Sequence, residues 1–232
     1  MYTTRRCDGY PGEPCDHESG ATAVRIDAQK KTFRAAEQDT AAGQQARAAY
    51  QAVVQATAAR TLIFVDETGT HIDLARLHAW APRGQRAYAT RPRNRGRALT
   101  LIGALGLRGL VATLSIEGGT DGEVFRTYVK EVLAPRLRPG QLVVMDNLKA
   151  HKVQGIREAI EATGARLQYL PPYSPELSPI ELAWSKVKAF LRARAARTRD
   201  ALEQALTEAL RTLTPRDARH WFHHCGYRTT RN

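Results

Sequence analysis

The sequence predicts a mixed α/β fold, with a five-stranded sheet flanked by helices. Three observations carry this expectation. Thr61–Val65 is a continuous apolar run, the pattern of a strand covered on both faces. Leu99–Leu105 and Leu110–Ile116 are strand-like stretches joined at Gly106–Gly109, which reads as an antiparallel hairpin. Further on, the short apolar strand Leu142–Met145 and a last strand, Leu167–Leu170, alternate with helical periodicity, the order of a mixed sheet.

Taken along the chain, residues 1–21 are rich in Gly, Pro and Cys without an apolar period, and a disordered tail is expected there. Residues 22–60 turn to Ala, Gln and Arg and read as a helical linker region. Within it, Ala41–Arg60 places Ala46, Tyr50, Val53, Val54 and Ala58 on one helical face. The main domain spans residues 61–232. Thr120 is expected to start a helix, because Thr120-x-x-Glu123 forms a capping box. Val124, Phe125, Tyr128 and Val132 supply its apolar face, and it should stop before Pro135. Val153–Thr163 is helical and ends at Gly164, a C-cap residue. After Leu167–Leu170, a proline-rich turn, Pro171–Pro179, leads into a helix from about Ile180 to Arg194. Its buried stripe is Ile180, Ala183, Trp184, Val187 and Leu191, so Trp184 is expected in the core rather than stacked on a base. Two more helices follow, near Asp200–Leu213 and Pro215–His223.

The 232 residues are 43% hydrophobic, enough for one sizeable domain and an appendage. Lys and Arg number 35 against 23 acids, a formal charge of +12, which favours a polyanionic partner through counterion release. An arginine-rich soluble protein without such a partner is the competing reading of the same composition. The longest apolar stretch, Leu99–Leu114, carries Arg108 and is broken by Thr100, Gly103, Gly106, Gly109 and Thr113, so no membrane span is expected. Met1–Tyr10 has no apolar signal region. Cys7, Cys15 and Cys225 suggest no disulfide framework, and a cytoplasmic, nucleoid-associated location is expected. The spacing of Cys7, Cys15 and His17 fits no common zinc pattern.

Three carboxylates are the candidates for chemistry. Asp66 and Asp146 end apolar strands, and Glu181 opens a helix, with thirty-four residues between Asp146 and Glu181. A carboxylate at the end of an apolar strand is costly unless a cation meets it. Three that converge would hold divalent ions, and two ions between oxygen ligands can cut and rejoin phosphodiesters. Each carboxylate also has a simpler explanation. Asp66 can be a turn residue. Its Asp-x-Thr-Gly-Thr stretch also resembles the phosphorylated-aspartate motif of haloacid-dehalogenase-like phosphotransferases and ion-pumping ATPases. Those families need a downstream Gly-Asp pair and a helper lysine, and the ATPases need membrane helices. Asn147 and His151 cluster with Asp146 at a strand's carboxyl end, where α/β ligand sites lie. His151 either orients a carboxylate, touches a phosphate or caps the following helix. Ser178-Pro179-Ile180-Glu181 is itself a capping box, so Glu181 serves as a cap or as a ligand.

Arg83, Arg86, Arg91, Arg93, Arg95 and Arg97, broken by Tyr88, form the best nucleic-acid track. A second basic face runs through Lys186, Lys188, Arg192, Arg194 and Arg197. Lys188 lies two helical turns after Glu181 and is placed to hold a phosphate beside it.

Four stretches together resemble the catalytic region of DDE transposases of bacterial insertion sequences in the Tc/mariner superfamily. They are Phe64-Val-Asp-Glu-Thr-Gly69, Trp80-Ala-Pro-Arg-Gly84, Val143-Val-Met-Asp-Asn-Leu-Lys-Ala-His151 and Leu170-Pro-Pro-Tyr-Ser-Pro-Glu-Leu-Ser-Pro-Ile-Glu181. The last is highly specific, and similarity runs from about Thr22 to Tyr227. The resemblance implies an RNase H-like DDE catalytic domain over 61–232 and a metal triad of Asp66, Asp146 and Glu181, supported by Asn147 and His151. It implies two Mg²⁺ ions, or Mn²⁺ as substitute, acting in DNA cleavage and strand transfer. The partner it implies is double-stranded DNA, both transposon ends and target, contacted by the basic residues above and by Lys149, and it admits a homodimer. Members usually carry helix-turn-helix units before this region, and residues 1–21 look nothing like one. The expectation is a second-frame product of a split transposase or a truncated copy, lacking its sequence reader. An inactive DNA-binding remnant and an RNase H-like nuclease are the rival functions.

Overall fold

The computed structural model describes residues 36–229. The expectations for residues 1–21, for the cysteine pair Cys7 and Cys15, and for the first part of the region 22–60 lie outside the described residues.

Five strands form one mixed sheet: β1 (Leu62–Thr70), β2 (Leu99–Gly106), β3 (Gly109–Glu117), β4 (Leu142–Met145) and β5 (Arg166–Tyr169). Their order is β3-β2-β1-β4-β5. The first three pair antiparallel, whereas β1, β4 and β5 are parallel. This is the five-stranded mixed sheet that the sequence predicts, with the hairpin turning at Gly106–Gly109.

The apolar run of β1 alternates between two cores. Leu62 and Phe64 point into one, with α1 (Ala41–Gln55), α4 (Pro179–Arg194), α5 (Arg199–Arg211) and α6 (Pro215–His224). Ile63 and Val65 point into the other, with α2 (Gly122–Thr127) and α3 (Ile156–Glu161). Both faces of the sheet are therefore covered, which is why β1 shows no polar alternation. Helix α1 is part of the first core through Tyr50 and Val54. Trp184 is buried there against β2, as its helical stripe predicts. A Cβ on Gly103 would stand 2.5 Å from its Cη2 atom, so a residue without a side chain is needed at that point of β2.

Two local expectations shift. Asp121, not Thr120, is the N-cap of α2, accepting the Val124 N–H at 2.9 Å. The capping-box reading points to the hydroxyl, but that hydroxyl is buried without a partner among the described residues, and the adjacent carboxylate takes the cap. The helix also does not stop before Pro135. It widens into a π-helical turn over Tyr128–Leu133 and closes with a 3-10 turn at Ala134–Arg136. Pro135 sits in the first positions of that turn, where its missing N–H costs little. The buried face is accordingly Phe125, Tyr128, Val129 and Leu133, with Val124 and Val132 only half-buried. No helix among the described residues is long and apolar enough to cross a membrane.

Candidate active site

The site grows from the end of one hydrogen-bond ladder. The parallel pairing of β1 with β4 stops at Val65 opposite Met145. The next residue on each strand is a carboxylate, Asp66 and Asp146, so the register alone delivers two acids to the same level of neighbouring strands. Asp66 does not end its strand. β1 continues to Thr70, held by β2, with Asp66 opposite Gly103. It is the β4 partner that departs, which opens space beside the aspartate.

On the far side of β4, the Leu170 N–H still bonds the Met145 carbonyl at 2.8 Å. The chain then turns through Pro171–Ser178 into α4, whose first turn carries Glu181. Asp66, Asp146 and Glu181 thereby line one open pocket of about 380 Å³, together with Asn147, Leu148 and the Leu170–Pro175 wall. Ser178 is the N-cap of α4, yet its side chain makes no capping bond, and Glu181 is exposed. The capping-box role open to Glu181 in the sequence is thus not used.

Electrostatics separates the two aspartates. Burial pushes Asp66 up to about 8, reinforced by the negative charge of Glu181 and, less, by Glu67 and Asp146. Asp146 moves the other way. Burial acts to raise it too, but the bond and charge of His151, with the Leu148 N–H, hold it below the usual range. Leu148 donates to Asp146 Oδ1 at 3.1 Å. His151 is wholly buried in a 3-10 turn, Lys149–Lys152, and its Nδ1 meets Asp146 Oδ1. Burial disfavours the imidazolium, yet Asp146 and Glu67 outweigh it and raise His151 to about 9. Of the roles open to His151, contact with the carboxylate is the one the structure shows.

Among the described residues, no three His, Cys, Asp or Glu side chains are grouped closely enough to hold a metal ion as they stand. The fit to a cation is one of donor chemistry. Three carboxylates supply only oxygen, the ligand set of a hard divalent ion, on a wall open enough to admit water and a phosphate.

The wall Pro171–Ser178 is pinned from outside. Arg47 of α1 donates to Ser174 Oγ at 2.7 Å and pairs with Glu176 at 2.5 Å. Gln38 donates to the Tyr173 carbonyl. Tyr227 donates to the Leu177 carbonyl at 2.5 Å and exchanges a bond with the Tyr50 hydroxyl at 2.7 Å. Tyr173 has φ 55°, a left-handed conformation that is unfavourable for a bulky residue.

Residues 61–203 match the family described as DDE superfamily endonuclease. The chain belongs to that family. No curated protein is detectably similar in sequence. Among solved structures, this DDE-family domain is similar to the Mos1 transposase paired-end complex with left transposon end, with TM-score 0.70 and 14% identity over 88% of this chain and 64% of that one. It is also similar to the mariner Mos1 paired-end complex with Mg, at TM-score 0.63 and 15% identity, covering 86% of this chain and 63% of that one. The Mos1 transposase catalytic domain with raltegravir and Mg gives TM-score 0.57 at 12% identity over 80% of this chain and 90% of that one. At such identities the likeness establishes the fold alone, a mixed five-stranded sheet flanked by helices like the RNase H-like fold of the Mos1 transposase catalytic domain. The DDE domain spans less than two thirds of the Mos1 chain in the first two complexes.

The other residues singled out in the sequence fall into two groups. Asn147 and Lys149 are exposed on the segment after β4, and Asn147 lines the pocket. Arg83, Arg86, Arg91 and Arg93 are exposed on the segment 71–98, which contains no helix or strand. Arg95 and Arg97, on the same segment, pair with Asp73 at 3.1 Å and Glu117 at 3.5 Å. Lys188 is half-buried on α4. Lys186 is engaged within the fold, bonding the Thr212 carbonyl at 2.9 Å and Asp217 at 2.8 Å, which ties α4 to α6. Sequence reasoning missed Glu67, Arg47 and Tyr173. The signal for Glu67 was present: a second acid directly after Asp66, in a strand buried on both faces.

Proposed function

We propose that this chain cleaves DNA strands and transfers them to a second DNA site, the transposase-type reaction, with Asp66, Asp146 and Glu181 holding two divalent cations, Mg²⁺ or Mn²⁺. The observation that carries the reading is the convergence of three carboxylates, from β1, from the end of β4 and from the first turn of α4, on one pocket. When bound, the cations supply Lewis acidity at the entering and leaving oxygens of an in-line displacement at phosphorus. The protein's part is placement. Asp66 is set within β1 and Asp146, one residue past β4, by its contact with His151, whereas Glu181 is exposed and adjusts to what the two aspartates hold. The proline-rich wall shapes the space for the scissile phosphate. The exposed arginines between β1 and β2, with Lys149 and Lys188, supply phosphate contacts that need no sequence recognition. The solved complexes of Mos1 with a transposon end, with Mg and with Mn support the same reading.

The test is nicking of supercoiled plasmid by wild type and by Asp146→Asn, with Mg²⁺ and with chelator. Nicks are expected only from wild type with metal. Equal signal from both proteins removes the enzymatic claim, and duplex binding without any nicking makes the chain a DNA-binding remnant. Preferential cleavage of an RNA–DNA hybrid over duplex DNA makes it an RNase H-like nuclease instead.

A further inference from the structure

Asp66 and Glu67 are consecutive on β1, so their side chains leave opposite faces of the sheet. Asp66 lines the pocket, whereas Glu67 points to the side covered by α2 and α3. A carboxylate facing a covered side of a sheet requires a partner. Glu67 is 17% exposed, and both its oxygens face Nε2 of His151, at 3.0 and 2.9 Å. The ring they hold is closed in on its other sides. Phe125 packs on it with centroids 4.1 Å apart, and the Tyr169 hydroxyl bonds the His151 carbonyl at 3.0 Å. The opposite ring nitrogen, Nδ1, meets Asp146 Oδ1. One imidazole therefore links a carboxylate outside the pocket to a carboxylate inside it. With Oδ1 of Asp146 occupied by Nδ1 and by the Leu148 N–H, the remaining oxygen is the one left for the pocket.

We infer that Glu67 is a positioning residue. By accepting from Nε2 it fixes the rotation of the His151 ring, which in turn fixes the carboxylate plane of Asp146. Neighbouring groups that hold a ligating carboxylate in this way govern metal affinity, and removing one weakens it about 10–100-fold. The inference rests on the reading of Asp146 as a metal ligand, and the experiment separates the two.

Mn²⁺ affinity is measured by calorimetry on the whole chain, without DNA, for wild type, Asp146→Asn, Glu67→Ala, Glu67→Gln, His151→Asn and Glu67→Ala/His151→Asn. The ¹⁵N resonances of His151 are recorded without metal. Glu67→Ala is expected to weaken Mn²⁺ about 10–100-fold and to shift the His151 signals. Glu67→Gln keeps an acceptor oxygen for Nε2 and should return most of the affinity. The double variant should bind no worse than His151→Asn alone. Wild-type Mn²⁺ affinity in Glu67→Ala, with Asp146→Asn impaired, overturns the role of Glu67 alone. Wild-type affinity in Asp146→Asn overturns the metal reading itself. If Glu67→Ala does not fold, Glu67→Gln decides. A modest loss of affinity with shifted His151 signals supports the relay, and either unchanged affinity or lost affinity with those signals unchanged overturns it.

Discussion

Two irregular stretches of this domain, Pro171–Ser178 and the segment 71–98, are held in opposite ways. The first is pinned by Arg47, Gln38 and Tyr227, which reach it from both ends of the described chain. Among the described residues, the second is fixed only at its stem. There Arg197 donates to the Ile72 and Leu74 carbonyls at 2.9 Å, and Asp73 pairs with Arg95. Beyond the stem, residues 76–91 are exposed throughout, including Trp80, Tyr88 and Leu77. Under the proposed function, the contrast matches what each stretch would do. A pocket wall must hold reacting groups to a fraction of an ångström, whereas cations that collect a polyanion gain from reach and adjustability.

The comparison breaks first where the pinned side meets the core. Gly103→Ala drives a methyl group into Trp184 on α4, the helix that presents Glu181. Overpacking of this kind should cost about 1–3 kcal/mol in urea unfolding, with DNA nicking falling alongside. A change near zero shows that α4 yields freely. Arg47→Ala removes the clamp on Ser174 and Glu176. We expect a loss of about 1 kcal/mol in stability, since the pair is partly exposed, and about tenfold slower cleavage with duplex affinity unchanged. Unaltered cleavage rates dissociate the clamp from the chemistry.

On the loose side, replacing Arg83, Arg86, Arg91 and Arg93 together by Gln should leave unfolding within about 0.5 kcal/mol of wild type. The slope of log affinity for duplex against log salt should fall by about 0.9 for each phosphate that the variant no longer neutralises. An unchanged slope places the DNA path elsewhere. The smallest effect concerns Lys186, which the fold engages. Its bond, with those of Thr214, lowers Asp217 from 3.8 to about 2. A depressed acid stabilises the fold fully above its unfolded value, so this contribution is present above about pH 4 and fades as pH falls towards 2. Melting curves of wild type and Asp217→Asn should therefore differ at neutral pH and converge near pH 2.

β1, β2 and β4 were legible because each is a compact, largely apolar run, and α4 because its stripe keeps a helical period. What escaped depended on partners distant in sequence. The continuation of β1 past Asp66 is dictated by β2, which no pattern within Leu62–Thr70 reveals. Glu67 acquires its partner 84 residues away and Arg47 its partner 127 away, so neither pairing leaves a local trace. The face of the helix after Asp121 moved because a competing cap and a π-helical turn changed its phase. The carboxylates were recognisable as residues, but their gathering on one pocket is a property of the register.

That register, with Val65 level with Met145, gives the gene an uneven tolerance for length changes. For folding, adding or deleting residues between Arg76 and Arg91 alters only an exposed excursion, and each doubling of such a loop costs about 0.6 kcal/mol. A single codon gained or lost within Leu142–Met145 would turn the side chain at the strand's end to the opposite face. The fold should therefore tolerate changes of length at the first place and demand strict spacing at the second.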